Sequence, residues 1–264
     1  MKNLASLLLL SIVIATTSCQ FFGGDNSKSQ SGETKNADGT IIKTKHFNND
    51  PNGPVEWKVS VKVKEDGSTI RHGLSTRYSK NGKVYEKINY VDNKKHGLRL
   101  TYHSTGKVWK EQSYVNGKLD GLCKRYDRDG NLAAEYSYKS GLPAVGLKEY
   151  TNLGKEREQP TLNVTKVNEI ATANRYVLKL SLAGENLKRI KSVEYYMGDL
   201  IEGKYYHKNL TPAKPISGKK GELRFGVPKG HVLDKTINVI AVAKNYDGLS
   251  LILQKKVSIS VRGI

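Results

Sequence analysis

The chain has 264 residues, 37% of them hydrophobic, a formal net charge of +19 and two cysteines. That length supports one or two cored domains, while the composition excludes a disulfide-stapled scaffold and a wholly disordered chain. The basic surplus points either to anionic partners or to a solubilising surface. At the N-terminus, Met1, Lys2 and Asn3 form a short basic head, and Leu4 to Ala15 is almost wholly apolar, the outline of a secretory signal peptide. Such a run spans about 18 Å as a helix against about 30 Å of bilayer hydrocarbon, so removal is expected rather than a permanent membrane span. Residues 1–18 are therefore read as a signal peptide.

Thr16, Thr17, Ser18 and Cys19 resemble the lipobox of bacterial lipoproteins, with Thr16 where the usual motif has Leu. The resemblance implies lipidation of Cys19; the alternative is an incidental thiol after an ordinary cleavage site. Each acyl chain adds about 0.8 kcal/mol per buried methylene, so two or three chains anchor stably. Gln20 to Asn36 is rich in Gly, Ser, Asn, Gln and Lys and cannot bury enough apolar surface to offset its ordering entropy, so 19–37 reads as a lipidated cysteine on a flexible stalk. By resemblance to lipoprotein sorting in Gram-negative bacteria, Gln20 implies the outer membrane; no acidic run of the surface-export type follows, so the expected location is the cell envelope, facing the periplasm. With Cys19 acylated, Cys123 has no disulfide partner.

From about residue 38 to 158 the sequence repeats with a period of 24. Gly73, Gly97 and Gly121 recur, as do Tyr78, Tyr102, Tyr126 and Tyr150, and Gly82, Gly106, Gly130 and Gly154. Leu98, Leu100 and Tyr102 alternate with Arg99 and Thr101, so each unit reads as a two-stranded hairpin with its glycines at turns that need positive φ. Stacked hairpins share one antiparallel meander carrying a column of tyrosines. Thr40 to Ile70, with Trp57, Val59, Val61 and Val63, reads as a degenerate opening unit. The fourth copy keeps Tyr150, Gly154 and Lys155 but has Ala144, Val145 and Gly146 where His or Asp, Gly and Leu stood, as expected of a terminal unit with a different neighbour.

The pieces His72-Gly73-Leu74 with Tyr78 and Gly82-Lys83, His96-Gly97-Leu98 with Tyr102 and Gly106-Lys107, and Asp120-Gly121-Leu122 with Tyr126 and Gly130 resemble the variant MORN repeats of bacterial secreted and lipid-anchored proteins. That resemblance implies roles as varied as scaffolds and membrane-surface binders; an antitoxin-like role does not fit a signal peptide.

Beyond Gln159 and Pro160 the period is lost, and residues 160–264 read as a second β domain. Strands are expected at Asn163–Val167, Tyr176–Leu182, Ser192–Tyr196, Leu223–Val227, Ile237–Ala243, Leu249–Leu253 and Val257–Val261, a number that suggests an immunoglobulin-like β-sandwich. Lys191 to Tyr196 with Gly221 to Phe225 is similar to bacterial relatives of the YEATS sandwich, a likeness that carries no ligand site. The fold class expected is all-β: an antiparallel meander of MORN-type hairpins followed by an immunoglobulin-like sandwich.

No nucleophile elbow, Walker loop, dinucleotide fingerprint or zinc-protease motif occurs, so neither an enzyme nor a cofactor is expected. His72 and His96 recur at the repeat period and permit a metal pair, but Asp120 and Ala144 follow at the same position, and turn hydrogen bonding accounts for them better; no metal is expected. Cys123 reads as a packed thiol. The tyrosine column reads as core, with Trp109, Tyr114, Tyr136 and Tyr138 the better candidates for an exposed aromatic patch. Two binding readings follow. The leading one is a scaffold held at the membrane by its lipid anchor and docking a protein partner of the cell envelope. The other is a binder of anionic lipid, lipopolysaccharide or acidic polysaccharide, which needs Lys94, Lys95, Arg99, Lys124, Arg125 and Arg128, with Trp109, to converge on one face. An exported location removes nucleic acid as a partner.

Overall fold

A computed structural model describes residues 34–264. The signal peptide, Cys19 and the stalk up to residue 33 lie outside the described residues. Among the described residues no helix is long and apolar enough to cross a membrane.

The N-terminal part is one sheet built in chain order: β1 (Thr34–Lys35), β2 (Ile41–His46), β3 (Val55–Val63), β4 (Thr69–Tyr78), β5 (Val84–Val91), β6 (Lys94–Tyr102), β7 (Val108–Val115), β8 (Lys118–Leu119), β9 (Gly121–Tyr126), β10 (Leu132–Lys139), β11 (Leu142–Pro143) and β12 (Lys148–Glu149). Neighbours pair antiparallel in sequence order, and the sheet does not close into a barrel. Two kinds of turn alternate between its ends. At one end a five-residue turn recurs at Ser79–Lys83, His103–Lys107, Asp127–Asn131 and Thr151–Lys155, in each case with the fourth-residue glycine N–H donating to the first-residue carbonyl. At the other end Asp92-Asn93, Asn116-Gly117 and Ser140-Gly141 all have positive φ at both positions, the signature of the two-residue turn that matches strand twist.

The C-terminal part is a sandwich. β13 (Thr161–Glu169), β14 (Arg175–Ala183), β17 (Lys214–Ile216) and β18 (Lys220–Gly226) form one sheet; β15 (Ile190–Met197), β16 (Thr211–Pro212), β19 (Val232–Asn245) and β20 (Ser250–Arg262) form the other. Tyr176, Leu178, Leu180, Leu223 and Phe225 of the first meet Tyr195, Val239, Ala241, Val257 and Ile259 of the second in one buried core. Leu249–Leu253 and Val257–Val261, expected as two strands, are one thirteen-residue strand, β20. Its polar middle stays in register because Gln254, Lys255 and Lys256 pair with Ile240, Val239 and Asn238 of the equally long β19. Ile240, Val242 and Ile252 point to the outside of this sheet and are covered by Leu200 and Leu210 from the connection between β15 and β16.

The repeat sheet and the sandwich share a core. Cys123, Ala134, Tyr136 and Leu147 from the repeat side pack against Ile190, Ala243, Leu249 and Leu251 from the sandwich. The covered side is called the inner face of the repeat sheet. It holds the residues that alternate with the Leu98–Leu100–Tyr102 series, so the apolar series read from sequence as the packed side of a strand lies on the uncovered outer face. Leu74, Leu98 and Leu122 are accordingly about half exposed, at 47%, 48% and 50%.

Candidate interaction surface

Pairing fixes what shares the inner face. Gly73 opposes Tyr90, Tyr90 opposes Lys95, Gly97 opposes Tyr114 and Tyr114 opposes Leu119, which sets one row across the sheet. Ser75, Ile88, Arg99 and Gln112 make the next row, and Arg77, Glu86, Thr101, Lys110 and Arg125 the third. Because the period is 24, each row repeats the same positions, and the chain uses them in two ways.

In the third hairpin these positions carry the junction. Leu119 and Tyr138 pack beside the shared core, and Cys123 is fully buried. Arg125 donates from Nη2 to Asp247 Oδ2 at 2.7 Å, and Lys139 Nζ donates to Glu202 Oε1 at 2.6 Å, both partners belonging to sandwich loops. Buried Glu149 accepts from Asn245 Nδ2 at 3.0 Å and from Arg189 Nη2 at 3.1 Å. The degenerate fourth unit thus ends the sheet by turning Leu147 and Glu149 into the sandwich, while Val145 N–H donates to the Lys204 carbonyl and Tyr206 N–H to that of Pro143.

In the two hairpins before it several of the equivalent positions are cationic, and none of their residues belongs to the core shared with the sandwich. Where the third hairpin has Leu119, these have Arg71 and Lys95. The Arg71 guanidinium sits 4.6 Å from the centre of the Tyr90 ring and Lys95 Nζ 5.3 Å from that of Tyr114. Lys110 Nζ lies 4.0 Å from the centre of the Trp109 ring. At the middle, Arg99 donates to Glu86 Oε2 at 2.6 Å and to Gln112 Oε1 at 2.7 Å, which ties β5, β6 and β7 together. Arg77 stacks over Trp57 and Tyr85 and pairs with Glu56 at 3.2 Å. Arg71, Lys95 and Lys110 have no carboxylate at ion-pair distance among the described residues. Burial holds the Lys95 ammonium below its ordinary pKa, with Arg99 and Arg71 acting in the same direction; burial does the same to Lys110, helped by Arg125 and Arg99. The result is a row of cations from β4 to β9, interrupted by Glu86, that meets the junction at Asp247.

The six basic residues singled out from sequence divide accordingly. Lys95, Arg99 and Arg125 share the inner face. Lys124 is on the outer face, 3.7 Å from Glu135. Lys94 is exposed at one end of the sheet beside the Asp92-Asn93 turn, and Arg128 at the other within the five-residue turn after β9. Trp109 is half-buried against Lys110, with the His103 ring centre 5.9 Å away. Sequence reasoning missed Arg71 and Lys110; the signal available was their position in the period, since 71 and 95 are one repeat apart and 110 occupies the position of Glu86.

The tyrosine column Tyr78, Tyr102, Tyr126 and Tyr150 is half-buried on the outer face, outside the buried clusters, with the Tyr150 hydroxyl donating to Glu135 Oε2 at 2.8 Å. Tyr136 is buried at the junction and Tyr138 packs beside it, so neither belongs to an exposed patch. His72 Nδ1 is 3.3 Å from Asp92 Oδ1, and Asp120 Oδ2 accepts from the Ser140 N–H at 2.9 Å, so the residue before the strand glycine reaches the two-residue turn that follows its own hairpin. Among the described residues no group of three potential metal ligands is assembled.

No curated protein matches this sequence. Among solved structures, the extracellular domain of a protein assigned as a one-component system of B. thetaiotaomicron is similar at 12% identity and a TM-score of 0.21, over 84% of this chain and 36% of that one. The present chain therefore spans about a third of that relative's length. The family model described as a MORN repeat variant matches residues 71–92, 95–116 and 119–140. Each matched stretch covers one hairpin: β4–β5, β6–β7, and β8 to β10, so residues 71–140 are three consecutive MORN repeat variant units.

Proposed function

We propose that the protein is a non-enzymatic binding or scaffold lipoprotein of the cell envelope, held through acylated Cys19 at the outer membrane on the periplasmic side, with a protein as its partner. The observation that supports this reading most is the division of the inner face. One hairpin is fixed on the sandwich by a shared core and a buried hydrogen bond, and that core includes no residue of the two hairpins before it. Edges and faces of such sheets dock partners without any catalytic group. The signal peptide and lipobox resemblance supply the tether. The sandwich reads as immunoglobulin-like: with β16 and β17 as a strand that crosses between sheets, the order places strands one, two, five and four together against three, six and seven. The test is affinity capture from envelope extracts with residues 20–264, eluted in a salt gradient; one protein held through high salt supports the reading, and its absence removes it.

A second reading, binding of anionic lipid, lipopolysaccharide or acidic polysaccharide, is favoured by one observation: Arg71, Lys95 and Lys110 form part of a cationic strip and lack carboxylate partners among the described residues. In the same experiment it requires release of such material at modest salt.

A further inference from the structure

The sandwich shows how the inner face takes a protein surface. On the third unit it places Leu249 and Leu251 over Cys123 and Tyr136, and sets the carboxylates of Asp247 and Glu202 on Arg125 and Lys139. The contact is an apolar centre with acidic groups at its rim. Moving by one repeat, about two strand spacings or 10 Å, brings the same positions round again with Lys95 in place of Leu119 and Arg99 in place of Cys123. A further repeat brings Arg71 and Ser75. The footprint continues with its cations moved: the apolar positions of Leu119 and Cys123 become Lys95 and Arg99, while the rim positions of Arg125 and Lys139 become Thr101 and Val115.

Three cations of this strip, Arg71, Lys95 and Lys110, are half-buried and have no carboxylate at ion-pair distance among the described residues, although Glu86 and Asp247 lie near enough to act on Lys95 and Lys110. Burying charge without a partner is unfavourable, and a bound anion relieves it. The strip lies across the strands on a sheet face, so a ligand here gains no ladder hydrogen bonds from an open edge and must be recognised through side chains.

We propose that the inner face of β4 to β7, where the half-buried cations Arg71, Lys95, Arg99 and Lys110 lie over a buried floor of Ser75, Ile88 and Thr101, is the docking site for a protein partner whose contact surface carries carboxylates. The partner continues the sandwich's own footprint along the sheet. This inference rests on the protein-binding reading and assigns it a face and a charge.

The test uses residues 20–264 with two carboxylate probes, poly-L-glutamate and polygalacturonate, and compares wild type with Arg71→Gln/Lys95→Gln and with Lys94→Gln/Arg128→Gln. The glutamine side chains keep most of the stems over Tyr90 and Tyr114, and a urea midpoint verifies folding. The expected result is that the inner-face pair weakens poly-L-glutamate binding about tenfold and flattens its salt dependence, while the turn pair leaves it within about twofold. Equal losses in both variants show charge attraction without a site and overturn the proposal. Tighter binding of polygalacturonate with the same sensitivity makes the strip a glycan site and overturns it as well. If wild type captures an envelope protein that the inner-face variant retains equally, this assignment fails while the protein-binding reading stands; capture of nothing removes the reading itself.

Discussion

The carboxylate of Glu149 accepts a 3.0 Å hydrogen bond from Asn245 Nδ2, and this buried contact joins the last strand of the repeat sheet to the end of β19. Asn245 Oδ1 in turn accepts from the Leu249 N–H at 2.9 Å, so the same side chain shapes the loop that carries Asp247 to Arg125. Replacing Glu149 by Ala leaves Asn245 and Arg189 without their acceptor. The expected loss is about 1–3 kcal/mol, at the lower end for the share due to Arg189, which is more than a third exposed. More specifically, the two parts lose cooperativity. Urea unfolding followed separately by Trp57 or Trp109 fluorescence and by sandwich amide exchange should be coincident in wild type and split in Glu149→Ala; coincident curves in the variant contradict this role.

Gly73 and Gly97 occupy the same place in successive units and both have positive φ, +90° and +78°. A Cβ on Gly97 meets nothing within 4 Å, whereas one on Gly73 lies 3.2 Å from Ser60 Cβ. Gly97→Ala should therefore cost about 1–2 kcal/mol, the conformational penalty alone. Gly73→Ala should cost more, because β3 must also give way. Paired denaturation midpoints check this; equal losses show that the neighbouring strand yields freely.

The period and the turns were legible because turn geometry admits few residues: Gly117 and Gly141 follow from the positive φ of a tight turn, whatever packs nearby. The strand faces were harder. Leu98, Leu100 and Tyr102 form a correct alternation, but apolarity alone does not say which side of a single sheet receives a cover. Here Arg99 and Thr101 point to the covered side because their equivalents, Cys123 and Arg125, meet the sandwich. That contact spans more than a hundred residues and leaves no local signal. In the sandwich, the polar Gln254-Lys255-Lys256 separates the two apolar alternations, and only its pairing with β19 shows a continuous strand.

Cys123 is fully buried, and burial pushes its thiol above the ordinary range. In a Cys19→Ser background, alkylation of the native protein at pH 8 should be slower than that of a free thiol by at least about a hundredfold, and its rate should follow opening of the junction. Glu149→Ala should accelerate it. Rapid labelling of the otherwise intact protein contradicts the packing described.

Three turn carboxylates define an acid response. Asp38 is held below its usual pKa first by its hydrogen bond from the Thr40 hydroxyl, Asp66 by that from Ser68, and Asp127 by those from Asn131. A depressed folded value means that the stabilisation is complete above the unfolded pKa of about 4 and disappears as pH falls through the folded values. The urea midpoint should thus be flat from neutrality to about pH 5 and decline below about pH 4. Asp66→Asn keeps an acceptor for the Ser68 N–H while removing the charge, and should lower the neutral midpoint slightly, by the share the ionised carboxylate contributes, and reduce the slope in that acid window. An unchanged slope assigns the acid response to other groups.

The outer face supplies the complementary test of which side of the repeat sheet is packed. Leu98 is 48% exposed opposite Ser113, whereas Leu147, in the terminal unit, is 4% exposed inside the shared core. Leu98→Ser should cost no more than about 1 kcal/mol, because only about half of the leucine is buried. Leu147→Ala should cost about 2–5 kcal/mol, the range for a cavity left in a close-packed core. Thermal midpoints of the two variants separate the alternatives directly. If Leu98→Ser proves the more damaging, the outer face has a cover in solution, and the leucines at 74, 98 and 122 mark where it lies.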